Sequence, residues 1–429
     1  MPASRLPLVR SLLFALAALL AFPLALVPTA DAQYFGRNKV QYDDFDFKVL
    51  ETEHFDIYYY GDMEQAARDA ARMAERWYTR LSSILEHEFD ERKIIVFYAD
   101  HADFRQTNVI GGLISDGVGG VTEGLKQRIV MPFGATYAAT DHVLGHELVH
   151  QFQYDIAQRG GTFSNFVRLP LWVVEGMAEY YSVGREDAHT TMWMRDAALR
   201  DNFPTLDQLS NDPRFFPYRY GQAFWAFVGG TYGDEAATDL FKRGLSMPFD
   251  SALVSVTGLT PNEFSARWAE SVANSYLPHV DGRAVPYGPD LAVIDPEKNP
   301  RLDSLKLEAA PGARTLARDK DAGDVNVAPV LSPDGRYVAF FSERDLFGID
   351  LFLADAQSGE IIKKLQSVGT SAHFDALRFI NSAGTWSPDG RQFAYVVFAD
   401  GDNEIAIVDV AGRDLLQRLK VEGVTSIMD

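Results

Sequence analysis

Apolar residues set two rhythms in the first half of the chain. Phe55, Ile57 and Tyr59 alternate with their neighbours within 47–60, which predicts a strand. The period then lengthens, and Ala66, Ala70, Met73, Trp77 and Leu81 share one face of a helix over Met63 to Glu86. Lys93 to Tyr98 (Lys-Ile-Ile-Val-Phe-Tyr) has the length and texture of a buried strand. A glycine-rich stretch, Gly111 to Gly124, leads into the apolar run Ile129 to Phe133. From Thr140, an N-cap candidate, Val143, Leu144, Leu148 and Val149 mark a second helix. Leu171 to Ser182 reads as a third, with Trp172, Val173, Ala178 and Tyr181 for packing. Further helices are expected at 221–232, 235–247 and 260–277, the last opened by Pro261 behind Thr260 as N-cap.

After position 280 the texture changes. Pro286, Pro289, Pro296, Pro300 and Pro311 with scattered charges predict an extended linker over 281–319. Beyond it the segment Leu331-Ser332-Pro333-Asp334-Gly335-Arg336-Tyr337-Val338-Ala339-Phe340 recurs 55 residues later as Trp386-Ser387-Pro388-Asp389-Gly390-Arg391-Gln392-Phe393-Ala394-Tyr395. Pro-Asp-Gly is turn chemistry and the alternating runs are strands, so each copy is a small antiparallel sheet. A second strand is expected in each, at 348–354 and 404–408. The fold class is therefore α+β. A mixed-sheet and helical domain over 33–280 precedes an all-β domain over 320–429.

Arg5 and Arg10, the apolar run from Ser11 to Val27, and Ala30-Asp31-Ala32 match an export signal cleaved between Ala32 and Gln33. An uncleaved anchor helix is the alternative. No later stretch is apolar enough to span a bilayer, so an exported, periplasmic or extracellular protein is expected. The chain has no cysteine, which excludes disulfides, thiolate metal sites and a lipidated cysteine. A net charge of −20 argues against nucleic-acid or anionic-lipid partners, which need clustered Lys and Arg.

One segment carries chemistry. His146-Glu147-Leu148-Val149-His150 puts two imidazoles one helical turn apart, where they can grip one metal ion. Glu147 is turned off the ligand line yet within reach of a water on that ion. Glu175, in Trp172-Val173-Val174-Glu175-Gly176-Met177-Ala178-Glu179-Tyr180, is the candidate third ligand. With nine histidines in the chain, a His-Glu-x-x-His run arises by chance in roughly one such sequence in a hundred. His142 extends the row by a turn, but it lies ~12 Å from His150 along the axis and cannot share that ion. His54, His87, His101, His189, His279 and His373 stand alone.

The order of these parts resembles the gluzincin metallopeptidases, and the Glu-Gly-x-Ala-Glu-Tyr context is similar to the M1-related, peptidase MA-like domains. The resemblance implies one zinc ion held by His146, His150 and Glu175. It implies Glu147 as general base and Glu179 as the carboxylate that orients a ligand histidine, His146 above all. The metzincin pattern is excluded because positions 153 and 156 hold Gln153 and Ile156. In the M1-like family a tyrosine in a Tyr-x-x-Gly setting stabilises the oxyanion. Tyr218-Arg219-Tyr220-Gly221 matches best, giving Tyr218 first and Tyr220 in reserve, against simple aromatic packing at a helix start. The Gly-x-Met-Glu-Asn element of the family's aminopeptidases is absent, so exo- and endopeptidase remain open. The stretch from Gly119 to Phe133 would either pair with substrate backbone or form a plain edge hairpin.

The Ser-Pro-Asp-Gly repeat resembles the blades of TolB-like β-propellers. About two blades are present and closure takes four to eight, so the sequence is expected to be part of a longer protein, the alternative being a two-blade appendage that closes by pairing with another chain. The combined expectation is an exported zinc metallopeptidase acting on a peptide or protein substrate, with a propeller that engages a protein partner. A non-catalytic cell-envelope binding protein with a structural or vestigial zinc is the rival, and hydrolysis of a non-peptide amide is a third reading.

Overall fold

The computed structural model describes residues 41–285 save 112, 113, 115, 116 and 135. It then describes 299–302, 305, 308–309, 325–344, 349–367, 376–378, 382–399, 401–421 and 427. The expected export segment (1–32) and most of the expected linker (281–319) lie outside the described residues.

The stretch expected as one strand is a hairpin. β1 (Lys48–Glu51) turns back into β2 (Phe55–Tyr59) because Thr52 closes the turn, its backbone N–H and hydroxyl both meeting Phe55 O. α1 (Glu64–Leu85) follows and buries Ala67, Ala70, Ala74, Trp77 and Leu81, with Ala66 and Met73 at the margin of that face. Then come β3 (Lys93–Tyr98), the single turn α2 (His101–Phe104), β4 (Val121–Glu123) and β5 (Arg128–Pro132). The sheet order is β1-β2-β3-β5-β4, with β2, β3 and β5 parallel and both outer strands antiparallel. β4 thus forms an edge of a mixed sheet, hairpin-paired to β5.

Helices complete this part of the molecule. They are α3 (Tyr137–Arg159), α4 (Phe163–Phe166), α5 (Leu171–Val183), α6 (Ala188–Arg200) and α7 (Leu206–Asn211). α8 (Pro217–Tyr232), α9 (Asp234–Gly244), α10 (Phe249–Thr257) and α11 (Pro261–Tyr276) follow. α11 opens as expected with Thr260 as N-cap and Pro261 in the first turn, and Glu263 adds a capping box. α3 begins a turn earlier than expected. Thr136, not Thr140, is its N-cap and accepts from Ala139 N, whereas Thr140 is buried with its hydroxyl taking the Gly134 N–H. α6, α7 and α10 escape the sequence reading.

One continuous apolar cluster runs from Phe55 on β2 to Leu302 and includes the buried rings of Trp172, Trp225 and Trp268. Glycines set its closest helix crossings. A Cβ on Gly145 of α3 would lie 2.6 Å from the Trp77 ring of α1. Gly176 of α5 and Gly221 of α8 bring two backbones together, since a Cβ on Gly176 would lie 2.3 Å from Gly221 Cα. Near the C-terminal end of α3, Asp155 (3 % exposed) accepts from Lys93 Nζ at 2.7 Å and pairs with His87 Nε2 at 2.7 Å. Lys93 is 4 % exposed, so Asp155→Ala strands a buried cation and is expected to cost about 3–5 kcal/mol. A urea titration showing a lower midpoint at unchanged slope checks this. Burial alone would raise the Asp155 carboxyl, but Lys93 and His87 hold it below its usual range. Its contribution is therefore complete above pH ~4 and lost on further acidification.

The two repeat copies are antiparallel sheets. β6 (Ala284–Val285) and β7 (Glu308–Ala309) form a short parallel pair before them. β8 (Asn326–Leu331), β9 (Tyr337–Ser342), β10 (Asp350–Asp355) and β11 (Ile361–Gln366) make the first sheet, in the order β11-β10-β9-β8. β12 (Ala376–Arg378), β13 (Thr385–Trp386), β14 (Gln392–Ala399), β15 (Asp402–Asp409) and β16 (Leu415–Lys420) make the second. Their turns repeat bond for bond. Asp334 Oδ1 accepts from the Ser332 hydroxyl and Arg336 N, as Asp389 Oδ1 does from Ser387 and Arg391. Gly335 and Gly390 take φ of 72° and 71°, the left-handed conformation each turn requires. Among the described residues these sheets do not close into a barrel or propeller. Among the described residues the fold is a mixed α+β one with several sheets and eleven α-helices. No described helix is long and apolar enough to cross a membrane.

Candidate metal centre

α3 carries His146, Glu147 and His150 in a stretch that is buried without interruption from Leu144 to Gln153. Its polar side chains there face other protein groups rather than water. α5 lies across it and brings up Glu175. His146 Nε2 and His150 Nε2 lie 3.2 and 3.1 Å from the same oxygen, Glu175 Oε2, and 3.1 Å from each other.

The tautomers follow from the outer contacts. Gln153 Nε2 donates to Val174 O, so Gln153 Oε1 is the acceptor for His150 Nδ1 at 2.9 Å. Neutral His150 then presents an Nε2 lone pair. His146 Nδ1 lies 3.2 Å from Glu179 Oε1, at hydrogen-bond distance though poorly aligned, which leaves its Nε2 facing inward as well. Two lone pairs and a carboxylate oxygen crowd one point. Such a set repels itself unless a cation sits among its members.

A proton on an imidazole can also fill that role. Burial by itself would depress His146, but hydrogen bonds to Glu175 and Glu179 and the charge of Glu147 raise it. His150 is likewise raised against burial by Glu175. Burial opposes ionisation of Glu175 and Glu179, yet their neighbours hold both well below the usual carboxylate range. For Glu175 these are His150 and His146, and for Glu179 they are His142, His146 and Arg219. A dication would displace such a proton. The donor set suits zinc: separations of 3.1–3.2 Å are close to the ~3.4 Å expected between ligands bonded at ~2.1 Å in a tetrahedron.

Glu147 sits beside this cluster. Thr122 on β4 donates to Glu147 Oε2 at 2.6 Å, with Glu147 O 3.0 Å from the same hydroxyl. A Cβ on Gly120 would lie 3.0 Å from Glu147 Oε1, so a side chain there would displace the carboxylate. The Gly119 to Phe133 stretch therefore borders the centre and holds Glu147.

The two tyrosines separate. Tyr218, in the first turn of α8, lies parallel to the His146 ring with centroids 6.0 Å apart. Burial first, then the charges of Glu175 and Glu147, push its phenol up, and it stays a donor across the physiological range. Tyr220 points into an aromatic nest of Trp193, Phe203 and Phe215. The structure thus gathers His146, His150, Glu175, Glu147, Glu179 and Tyr218, and leaves Tyr220 apart. His142 Nε2 lies 3.7 Å from Glu179 Oε2, outside the His146–His150–Glu175 cluster.

Three contributors are not assigned a role from the sequence. Thr122 and Arg219 meet their partners only through tertiary contact. Gln153 was within reach, being a polar residue one turn past His150 on a buried face.

No protein-family model matches the chain, and no curated protein matches it. Solved structures that match include TolB from Acinetobacter baumannii, at 24% identity and a TM-score of 0.19, over 25% of this chain and 23% of that one. A structure assigned to TolB from Agrobacterium tumefaciens matches at 19% identity and a TM-score of 0.19, over 24% of this chain and 36% of that one. The chain thus spans well under half of either structure, and the similarity to TolB proteins is weak and partial.

Proposed function

We propose that this protein is an exported zinc metallopeptidase of gluzincin type, with the β-sheets of its C-terminal part serving as a TolB-like module for a protein partner. The observation that carries the proposal is the convergence of His146 Nε2, His150 Nε2 and Glu175 Oε2 within 3.1–3.2 Å, with Glu147 and Tyr218 beside them. When bound, zinc supplies Lewis acidity, polarising a carbonyl and making nearby water a stronger acid. Glu147 takes the proton of the attacking water and delivers it to the departing amine. Thr122 holds that carboxylate in place from β4, the edge strand along which an extended substrate backbone can add. Tyr218 donates its hydroxyl hydrogen to the oxygen that becomes negatively charged. His150 and His146 keep their tautomers through Gln153 and Glu179.

Digestion of a peptide library by the zinc-loaded chain tests the proposal. Cleavage should vanish on chelation and return with zinc; a library left intact by zinc-loaded protein rejects it. Tyr218→Phe is expected to lower kcat about 10²- to 10³-fold with little change in KM, measured on any peptide the library yields.

A further inference from the structure

Two sets of metal-ligating atoms overlap at His146. One is His146, His150 and Glu175. The other is His142, His146 and Glu179, whose ligand atoms also lie within 4.8 Å of one another. Both offer two imidazoles and a carboxylate, so donor chemistry does not choose between them. His142 Nε2 and His146 Nδ1 are buried and neither makes a well-aligned hydrogen bond, although they face Glu179 at 3.7 and 3.2 Å. A neutral imidazole has one lone pair, so His146 can serve one ion through Nε2 or the other through Nδ1.

The difference lies in a third charge. Arg219, on α8 next to Tyr218, places Nη1 3.1 Å from Glu179 Oε2, the same oxygen that faces His142. The guanidinium is anchored from behind by Asp187 Oδ2 at 3.2 Å, and Asp187 Oδ2 also caps α6 by accepting from Thr190 N at 2.7 Å. An arginine keeps its charge at every accessible pH. A dication at the second set would share Glu179 with a fixed positive charge at contact distance.

We propose that Arg219 assigns the metal to the His146–His150–Glu175 set, by occupying Glu179 and setting a permanent positive charge against the competing His142–His146–Glu179 set. Arg219 is a positioning residue: it leaves Glu179 as partner to His146 Nδ1 and so leaves His146 Nε2 for the ion. This inference rests on the zinc-centre reading above.

Cobalt(II) titration of the metal-free full chain tests it, read by visible absorption and stoichiometry, with circular dichroism to verify folding. The wild type should take up a single cobalt. His150→Ala removes a ligand of the first set and leaves the second complete, yet it should bind cobalt at least ~100-fold more weakly. Adding Arg219→Gln to His150→Ala should recover binding at least ~10-fold, and a further His142→Ala should abolish the recovery. Arg219→Lys in its place keeps the charge and should leave His150→Ala unable to bind.

Cobalt binding by His150→Ala that is tight and lost with His142→Ala overturns the inference, as does recovery that ignores His142. If the double variant does not fold, His150→Ala, His150→Ala/His142→Ala and His150→Ala/Arg219→Ala together still decide. Equally negligible binding by the first two that His150→Ala/Arg219→Ala then recovers supports Arg219 as the selector, and binding by His150→Ala that depends on His142 refutes it. A wild type that takes up no cobalt removes the metal-centre reading itself, which is a separate failure.

Discussion

Glu147→Gln is expected to lower peptide hydrolysis by about 10²- to 10⁴-fold while leaving zinc content unchanged. The substitution is nearly isosteric, so packing against Gly120 is retained and Thr122 can still donate to the amide oxygen. It removes only the ability to accept a proton and return it. The three proposed ligand atoms belong to His146, His150 and Glu175, and their contacts are with one another rather than with Glu147. Parallel measurements of bound zinc and of turnover separate the two effects. Full zinc with unchanged turnover would reject Glu147 as general base. Loss of zinc together with turnover would place Glu147 in the ligand set. Zinc binding in both proteins with no cleavage by either would favour a structural metal in a binding protein.

The second large effect concerns stability. Gly176→Ala and Gly221→Ala are each expected to destabilise the protein by roughly 3 kcal/mol or more. The added methyl at Gly176 meets Gly221 Cα at 2.3 Å, and one at Gly221 meets Trp172 O at 2.2 Å. Both obstacles are backbone atoms, which no rotamer change can clear, so α5 and α8 must separate. These helices carry Glu175 and Tyr218, and separation also degrades the centre. Urea midpoints should fall, and zinc affinity with them, whereas Gly230→Ala on the same helix, with open space around it, is a neutral control. Equal midpoints for all three variants would show that the crossing is loose.

These glycines also mark how far the sequence could be read. Glu-Gly-x-Ala-Glu and Tyr-x-x-Gly were visible as separate patterns in which the glycines had no assigned reason. The structure supplies the reason: the two glycines touch, so both patterns describe one helix crossing. Local rules served well where the deciding contact is local. The strand at Lys93–Tyr98 and the capping box of α11 depend on neighbours in sequence, as do the Ser-Pro-Asp-Gly turns. They failed where a distant partner decides. Thr140 has the chemistry of a cap, but burial against Gly134 moves the helix start to Thr136. His87 looked idle until Asp155, 68 residues away, came beside it. Arg219 carries no motif at all, because its meaning comes from Glu179 and Asp187 on two other helices.

The span between ligands has a consequence for assembly. His146 and His150 are preset by one helical turn, but Glu175 Oε2 reaches His146 across 29 residues of chain. Forming α3 alone yields a two-point grip, and the third point arrives only when α5 docks. On the proposed zinc reading, a bound metal would therefore report on tertiary closure rather than on helix formation. During unfolding it should leave as soon as α5 lifts from α3, before α3 itself melts. Metal release would then be an early signal of local opening, timed ahead of the loss of helical structure.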